Sequence, residues 1–305
     1  MPSLDQVQIN ANSDGLIVLK ICLAFILFSL AIDIKKEDFK TLYTNPKSVI
    51  IGCLSQIVIL PFFTFLLILL IKPSASIAMG MLMVSACPCG NMSTYISYLA
   101  KGFIPLSITI TTISTLLASV TTPFNFYLYA SHYAPANAML QEIHISFWYL
   151  LSSIILLLLL PLISGVLLQE YFPELIKKIG KPIKIMALVF FILFLIGAFV
   201  GNRVVFIEYL PQIFGIVFIQ NALAFLIGYL FPKVFKLPET HCRSISIETG
   251  IHNSGLGLIL VMTFFKGNGG MALIAAWWGI WHIIAGMALA FYWSRKNLVT
   301  QESIA

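Results

Sequence analysis

The chain has 305 residues, 59% of them hydrophobic and only 10% charged, and its mean hydropathy is +0.96. Those values exclude a soluble globular domain of this size and predict an all-α, polytopic membrane protein. The formal net charge of +6 does not imply a nucleic-acid partner, because the basic residues are scattered through short loops, as they are on the cytoplasmic side of membrane proteins.

Residues 1–14 read as a polar extracellular or periplasmic tail, with Asp5 and Asp14 and no Lys or Arg. The basic leader and small-residue cleavage site of a signal peptide are not found there. Hydropathy then predicts nine spans, at about 15–34, 48–71, 77–100, 103–130, 145–168, 184–202, 209–231, 239–266 and 270–293. Each exceeds or approaches the roughly 20 residues needed to cross the hydrocarbon. They form one transmembrane domain over 15–293, followed by a cytoplasmic tail at 294–305. Five cysteines, mostly in apolar segments, argue against a disulfide framework. Cys87 and Cys89 read as small apolar residues rather than as a metal or redox pair.

If the spans alternate, one side receives fourteen basic residues: Lys35, Lys36, Lys40, Lys47, Lys101, Lys177, Lys178, Lys181, Lys184, Lys233, Lys236, Arg243, Arg295 and Lys296. The other receives three, Lys72, Arg203 and Lys266, with Lys20 free to snorkel outward from the first span. That bias predicts a cell-membrane protein, plasma or bacterial inner membrane, with its N-terminus out and C-terminus in. Trp148 and Trp293, near opposite faces, read as interfacial anchors.

Two spans depart from plain helix. The third clusters Pro88, Gly90, Asn91, Ser93 and Thr94 in its middle. The eighth starts at Pro238 and reaches Glu248 after about 15 Å at 1.5 Å per residue, which places its Gly-rich break near the bilayer midplane. The two spans run in opposite directions, and each ends in a Lys-Gly pair, Lys101-Gly102 and Lys266-Gly267. Interrupted helices at corresponding positions of two halves point to the binding site of an inverted-repeat transporter. The repeats would cover about 15–130 and 145–293.

A carboxylate in a membrane span costs about 2.5–3.5 kcal/mol, so Glu248 argues for a cation or proton to meet it. If the broken helices cross, their second halves offer free N–H groups to an anion and their first halves offer carbonyls to a cation. Hydroxyls at Ser93, Thr94, Ser107 and Thr111 would complete an oxygen cage for a hard cation with Glu248. Ser107 and Thr111 are four apart and share one helix face. Gln220 and Asn221 read as interhelical hydrogen-bonding residues.

The stretches IGCLSQIVILP, ACPCGNMSTYISYLAKG, LSITITTISTL and IETGIHNSGL, with the Trp281-His282 pair, carry a resemblance over nearly the whole chain. In this order they resemble the bile acid:sodium symporter family, whose patterns include CCPGG-T-A-S-N-x-x-T-Y-L-A-x-G and I-E-x-G-M-Q-N-S-G-L. The resemblance implies a six-helix core containing two crossed, discontinuous helices, and a smaller panel against which that core moves. Nine spans are like those members that lack the first helix.

By the same resemblance, one sodium site would be Ser93, Thr94, Ser107, Thr111 and Glu248. A second would be Gln56, Glu248 and His252 with the carbonyls of Thr249 and Ile251, and substrate would lie near Asn91, Asn253 and His282. Thr94 stands where the family has Asn, and Ile283 follows His282 where a polar residue is expected. His252 stands where the family has Gln, and imidazole nitrogen is a poor ligand for an alkali cation. That predicts a weakened or replaced second site, with a protonated His252 paired to Glu248.

The function expected is sodium-coupled uptake of a small or amphipathic organic anion by alternating access, not enzymatic chemistry. Its partners would be sodium, the organic anion and the bilayer, with no obligatory protein partner, no nucleic acid and no cofactor beyond the coupling ions. The alternatives are a proton-coupled or exporting carrier on the same fold, or a ligand-binding membrane sensor.

Overall fold

The computed structural model describes residues 4–7, 21, 24–29, 31–90, 92–144, 146–201 and 203–296. These residues are helical throughout, joined by short turns, with one isolated β-bridge and no strand among them. A single helix, α1, runs from Pro46 to Ile71. There follow α2 (Ala75–Ala86), α3 (Met92–Leu99), α4 (Ile104–Ser131), α5 (Ala134–Glu142), α6 (Phe147–Tyr171) and α7 (Pro173–Gly201). The chain continues through α8 (Arg203–Val234), α9 (Glu239–Gly250), α10 (Ser254–Phe264) and α11 (Gly269–Arg295).

Among the described residues five helices are long and apolar enough to cross a membrane: α1, α4, α6, residues Ile207–Val234 of α8, and α11. The third and eighth predicted spans are the two broken pairs, α2 with α3 and α9 with α10. Of the first predicted span, residues 21, 24–29 and 31–34 are described, and 24–29 and 31 are helical. Residues 184–201 of the sixth lie within α7, which begins eleven residues earlier, at Pro173. The basic stretch Lys177–Lys184 is therefore helical and not a loop, because Gly180, with Ile176 one turn before it, turns inward while the lysines face out. Residues 134–142, read from sequence as a loop, form the short helix α5.

Helix α1 contains a π turn over Ser55–Ile59. It begins with Pro61, which has no N–H and clashes with the carbonyl four residues back. That carbonyl, on Ile57, is taken instead by the Asn125 side-chain amide at 2.7 Å. The turn carries Ser55 and Gln56 into the interior, where both are buried.

Polarity is inverted relative to a soluble protein. Helix α9 reads ETHCRSISIETG, yet all its residues from His241 to Gly250 are buried. Leu156 and Leu160 on α6 are instead exposed, at 70% and 66%. Lipid is the solvent that fits such an arrangement, since polar groups must find partners inside the protein. Arg243, 2% exposed, meets this demand at the end of the bundle. Its guanidinium donates to the carbonyls of Ala100 and Trp293, both at 3.1 Å, and to Glu239 at 3.2 Å. Trp293 is itself 5% exposed and packs on Tyr229, so it is a core residue and not the lipid-facing anchor expected. Trp148 is 74% exposed.

The connections sort to two ends. At one, Lys36 pairs with Glu170 and Lys184 with Asp33, while Lys47 Nζ donates to the carbonyl of Phe235 at 2.8 Å. At the other, Ser76 N donates to Asp5 Oδ1 at 2.8 Å, Gly269 N to the carbonyl of Val7 at 2.7 Å, and Tyr133 Oη to the carbonyl of Pro73 at 2.7 Å. Residues 5–7 thus lie at the opposite end from Trp293.

A candidate cation site at two crossed helix breaks

Helix α2 stops at Ala86 because Pro88 restricts Cys87 to extended backbone. Helix α9 stops at Gly250, and Ile251 is also extended. The two extended segments pass antiparallel, with Cys89 and His252 directly opposed. Gly90 N donates to the carbonyl of Ile251 at 3.0 Å, and Asn253 N donates to that of Pro88 at 2.8 Å. Each break thereby satisfies the other's backbone where water is scarce. A Cβ on Gly90 would sit 3.0 Å from the His252 carbonyl oxygen, so the close approach requires glycine there. Asn253 caps α10, its side-chain oxygen accepting from Leu256 N at 3.0 Å. Asn91 lies outside the described residues.

Glu248 stands in the last turn of α9 and is completely buried. Ser107 donates to one of its carboxylate oxygens, and Thr111 donates to the other at 2.7 Å. The i, i+4 spacing on α4 is what delivers both hydroxyls to one carboxylate. Ser93 and Thr111 hydroxyls lie 3.4 Å apart, and Ser107 and Thr94 hydroxyls 3.3 Å apart. The five residues of the first expected cage therefore form one connected set from α3, α4 and α9. Among the described residues no Lys, Arg or His side chain pairs with Glu248. One carboxylate among hydroxyl oxygens is the donor set of a hard cation.

The second expected set is differently disposed. His252 Nδ1 donates to the carbonyl of Val84 at 2.7 Å, while its Nε2 has no partner. It makes no ion pair with Glu248, which corrects that expectation: the Val84 carbonyl at the end of α2 holds the ring the other way. Thr249 Oγ1 lies 3.1 Å from Ser55 Oγ. Gln56 Oε1 accepts from the Cys89 thiol at 2.9 Å, leaving Gln56 Nε2 unpartnered. Cys89, read from sequence as a small apolar residue, is thus a polar participant that also accepts from Ser114 at 3.5 Å. Ser114 was missed as well, and its signal was its spacing of seven residues, two turns, from Ser107 on α4.

His282 on α11 is buried, one turn from Trp278, whose ring centroid lies 6.0 Å from that of His252. Its Nδ1 has no partner. Gln220 and Asn221 do serve between helices, donating to the carbonyls of Met81 at 2.9 Å and Gly250 at 2.8 Å.

Comparison with known proteins bears on the family of the chain. The chain is 33% identical to an uncharacterized sodium-dependent transporter of Bacillus subtilis over 276 residues, 90% of this chain and 83% of that one. It is 32% identical to a probable chloroplastic sodium/metabolite cotransporter of Oryza sativa subsp. japonica, covering 92% of this chain and 64% of the relative. With sodium/bile acid cotransporter 5 of Rattus norvegicus the identity is 26%, over 86% of this chain and 59% of the relative. Residues 20–209 match the profile of the Sodium Bile acid symporter family. With a buried carboxylate at crossed helix breaks and relatives of this kind along its length, the chain belongs to that family of membrane transporters.

Proposed function

We propose that this protein is a secondary active transporter that uses sodium to drive uptake of a small or amphipathic organic anion. The observation that carries the reading is Glu248, wholly buried with hydroxyl groups of α4 as its partners and no basic residue beside it. A carboxylate kept there at a cost of about 2.5–3.5 kcal/mol is accounted for by a cation that visits it. Sodium is the cation favoured by the oxygen-only set of Ser93, Thr94, Ser107, Thr111 and Glu248, and by the sodium-dependent relatives.

In this reading residues 15–293 form a single transporter domain of nine spans. Its two inverted repeats, about 15–130 and 145–293, each contribute one broken helix. Sodium draws α3, α4 and α9 together, and the anion binds beside the freed N-termini of α3 and α10, near Asn91, Asn253 and His282. Rocking of a six-helix core against a panel then exposes the site to the other side. Cation and anion favour the same state, which is what couples them. The protein sits in the plasma or bacterial inner membrane, N-terminus out and C-terminus in.

The test is thermal unfolding of the purified protein in sodium chloride against choline chloride at equal ionic strength, followed by an organic-anion screen in both salts. Wild type is stabilised by sodium, and the cargo stabilises further only in sodium. Glu248→Gln folds, elutes as wild type does and loses the sodium response. Equal stabilisation of that variant by sodium removes Glu248 from the site.

A further inference from the structure

Three observations at the crossing concern atoms that a second cation would need. The Gln56 side-chain oxygen is occupied by the Cys89 thiol. The Ile251 carbonyl is occupied by Gly90 N. Both carboxylate oxygens of Glu248 are turned to Ser107 and Thr111. Within the second expected set, the side-chain atoms left without partners are nitrogens, Nε2 of Gln56 and Nε2 of His252, in side chains 2% and 0% exposed.

Because His252 Nδ1 donates to the Val84 carbonyl, the neutral ring carries its lone pair on Nε2. Gln56 Nε2 presents N–H donors. A donor and a lone pair are complementary to a neutral hydrogen-bonding group such as water, whereas a bare alkali cation needs several oxygens around it. Cys89 is the residue that sets this. It directly opposes His252, its thiol lies against Gln56, and Ser114 fixes it from behind. A glycine at that position would leave the Gln56 oxygen free to turn toward Glu248.

We infer that this chain couples to a single sodium ion, the second cation position being closed by the Cys89 thiol on Gln56 and by His252 held on Val84. Cys89 and His252 are thereby stoichiometry-determining residues. The inference rests on the sodium reading of the Glu248 set, and the experiment separates the two.

Equilibrium binding of radioactive sodium to purified protein, without any organic substrate, gives the number of ions per chain. Wild type binds one, and Glu248→Gln binds none. The double variant Cys89→Gly/His252→Gln, which frees the Gln56 oxygen and supplies a second amide, binds two. Two ions on wild type overturn the inference and leave the sodium reading standing. One ion on a folded double variant overturns the assignment to Cys89 and His252. No ion on wild type overturns the sodium reading itself. The wild-type stoichiometry decides the central point even if the double variant fails to fold.

Discussion

Ser107 and Thr111 touch the same carboxylate, but a hydroxyl near a charge is not functional by proximity alone, since hydroxyls in lipid commonly serve only neighbouring helices. Thr109 makes the comparison. It lies on the same helix, yet donates to the carbonyls of Asp38 and Pro105 and belongs to no part of the cage. A hydrogen bond to a charged group is worth about 1.5–3 kcal/mol. Thr111→Val keeps the shape and removes that oxygen, so the apparent sodium affinity should fall about tenfold or more. Thr109→Val should leave it within about twofold, because the Thr109 hydroxyl does not reach the cage. Sodium titration of thermal stability measures both. Equal effects from the two variants would make the hydroxyls a general packing feature of α4.

Two glycines test how the elements are held. On α8, a Cβ at Gly228 would meet the Cα of Ser246 and the Cβ of Thr249 at 2.7 Å and the carbonyl of Ile245 at 2.9 Å. All three of those atoms are backbone or rigidly attached to it, so α8 and α9 must separate. Gly228→Ala should destabilise by about 1–3 kcal/mol and displace Glu248's helix, lowering sodium affinity as well. On α10, a Cβ at Gly257 would find the Cys87 sulfur at 3.4 Å, an ordinary contact. Gly257→Ala should be neutral or stabilise by about 0.5–1 kcal/mol, the usual gain for alanine in a helix interior. Thermal melts of the two variants decide the matter. Elements whose breaks are written in proline and glycine were legible in sequence: Pro88 and Gly90 mark one interruption, and Gly250 with the Asn253 cap marks the other. The cage of Glu248, Ser107 and Thr111 was legible because a carboxylate and an i, i+4 hydroxyl pair stand out against apolar sequence. The π turn at Gln56 was not, since it depends on Asn125, sixty-four residues beyond Pro61, taking the carbonyl that Pro61 strands. Nor were the burial of Trp293 and the polarity of Cys89, which are set by partners on other helices.

At the scale of the molecule, what matters is which end faces the cation gradient. Helical contacts gather Lys36, Lys47 and Lys184 at one end and residues 5–7 with Ser76 and Gly269 at the other. Because the basic residues concentrate at the first of these, that end should face the cytoplasm. Trp293 lies there too, through its carbonyl on Arg243, so the C-terminus should be cytoplasmic. A green fluorescent protein fused after the last residue should fluoresce, and alkaline phosphatase fused at the same place should be inactive. The segment joining Ser131 to Phe147 lies at the Tyr133–Pro73 end, so phosphatase inserted at His144, in the turn after α5, should be active. Exchanging Lys36 and Lys40 for glutamine removes two of the charges that orient the first crossings, and the two fusion signals should then become mixed. Retention of one orientation would place the topogenic signal in the later basic cluster of α7, where Lys184 already meets Asp33.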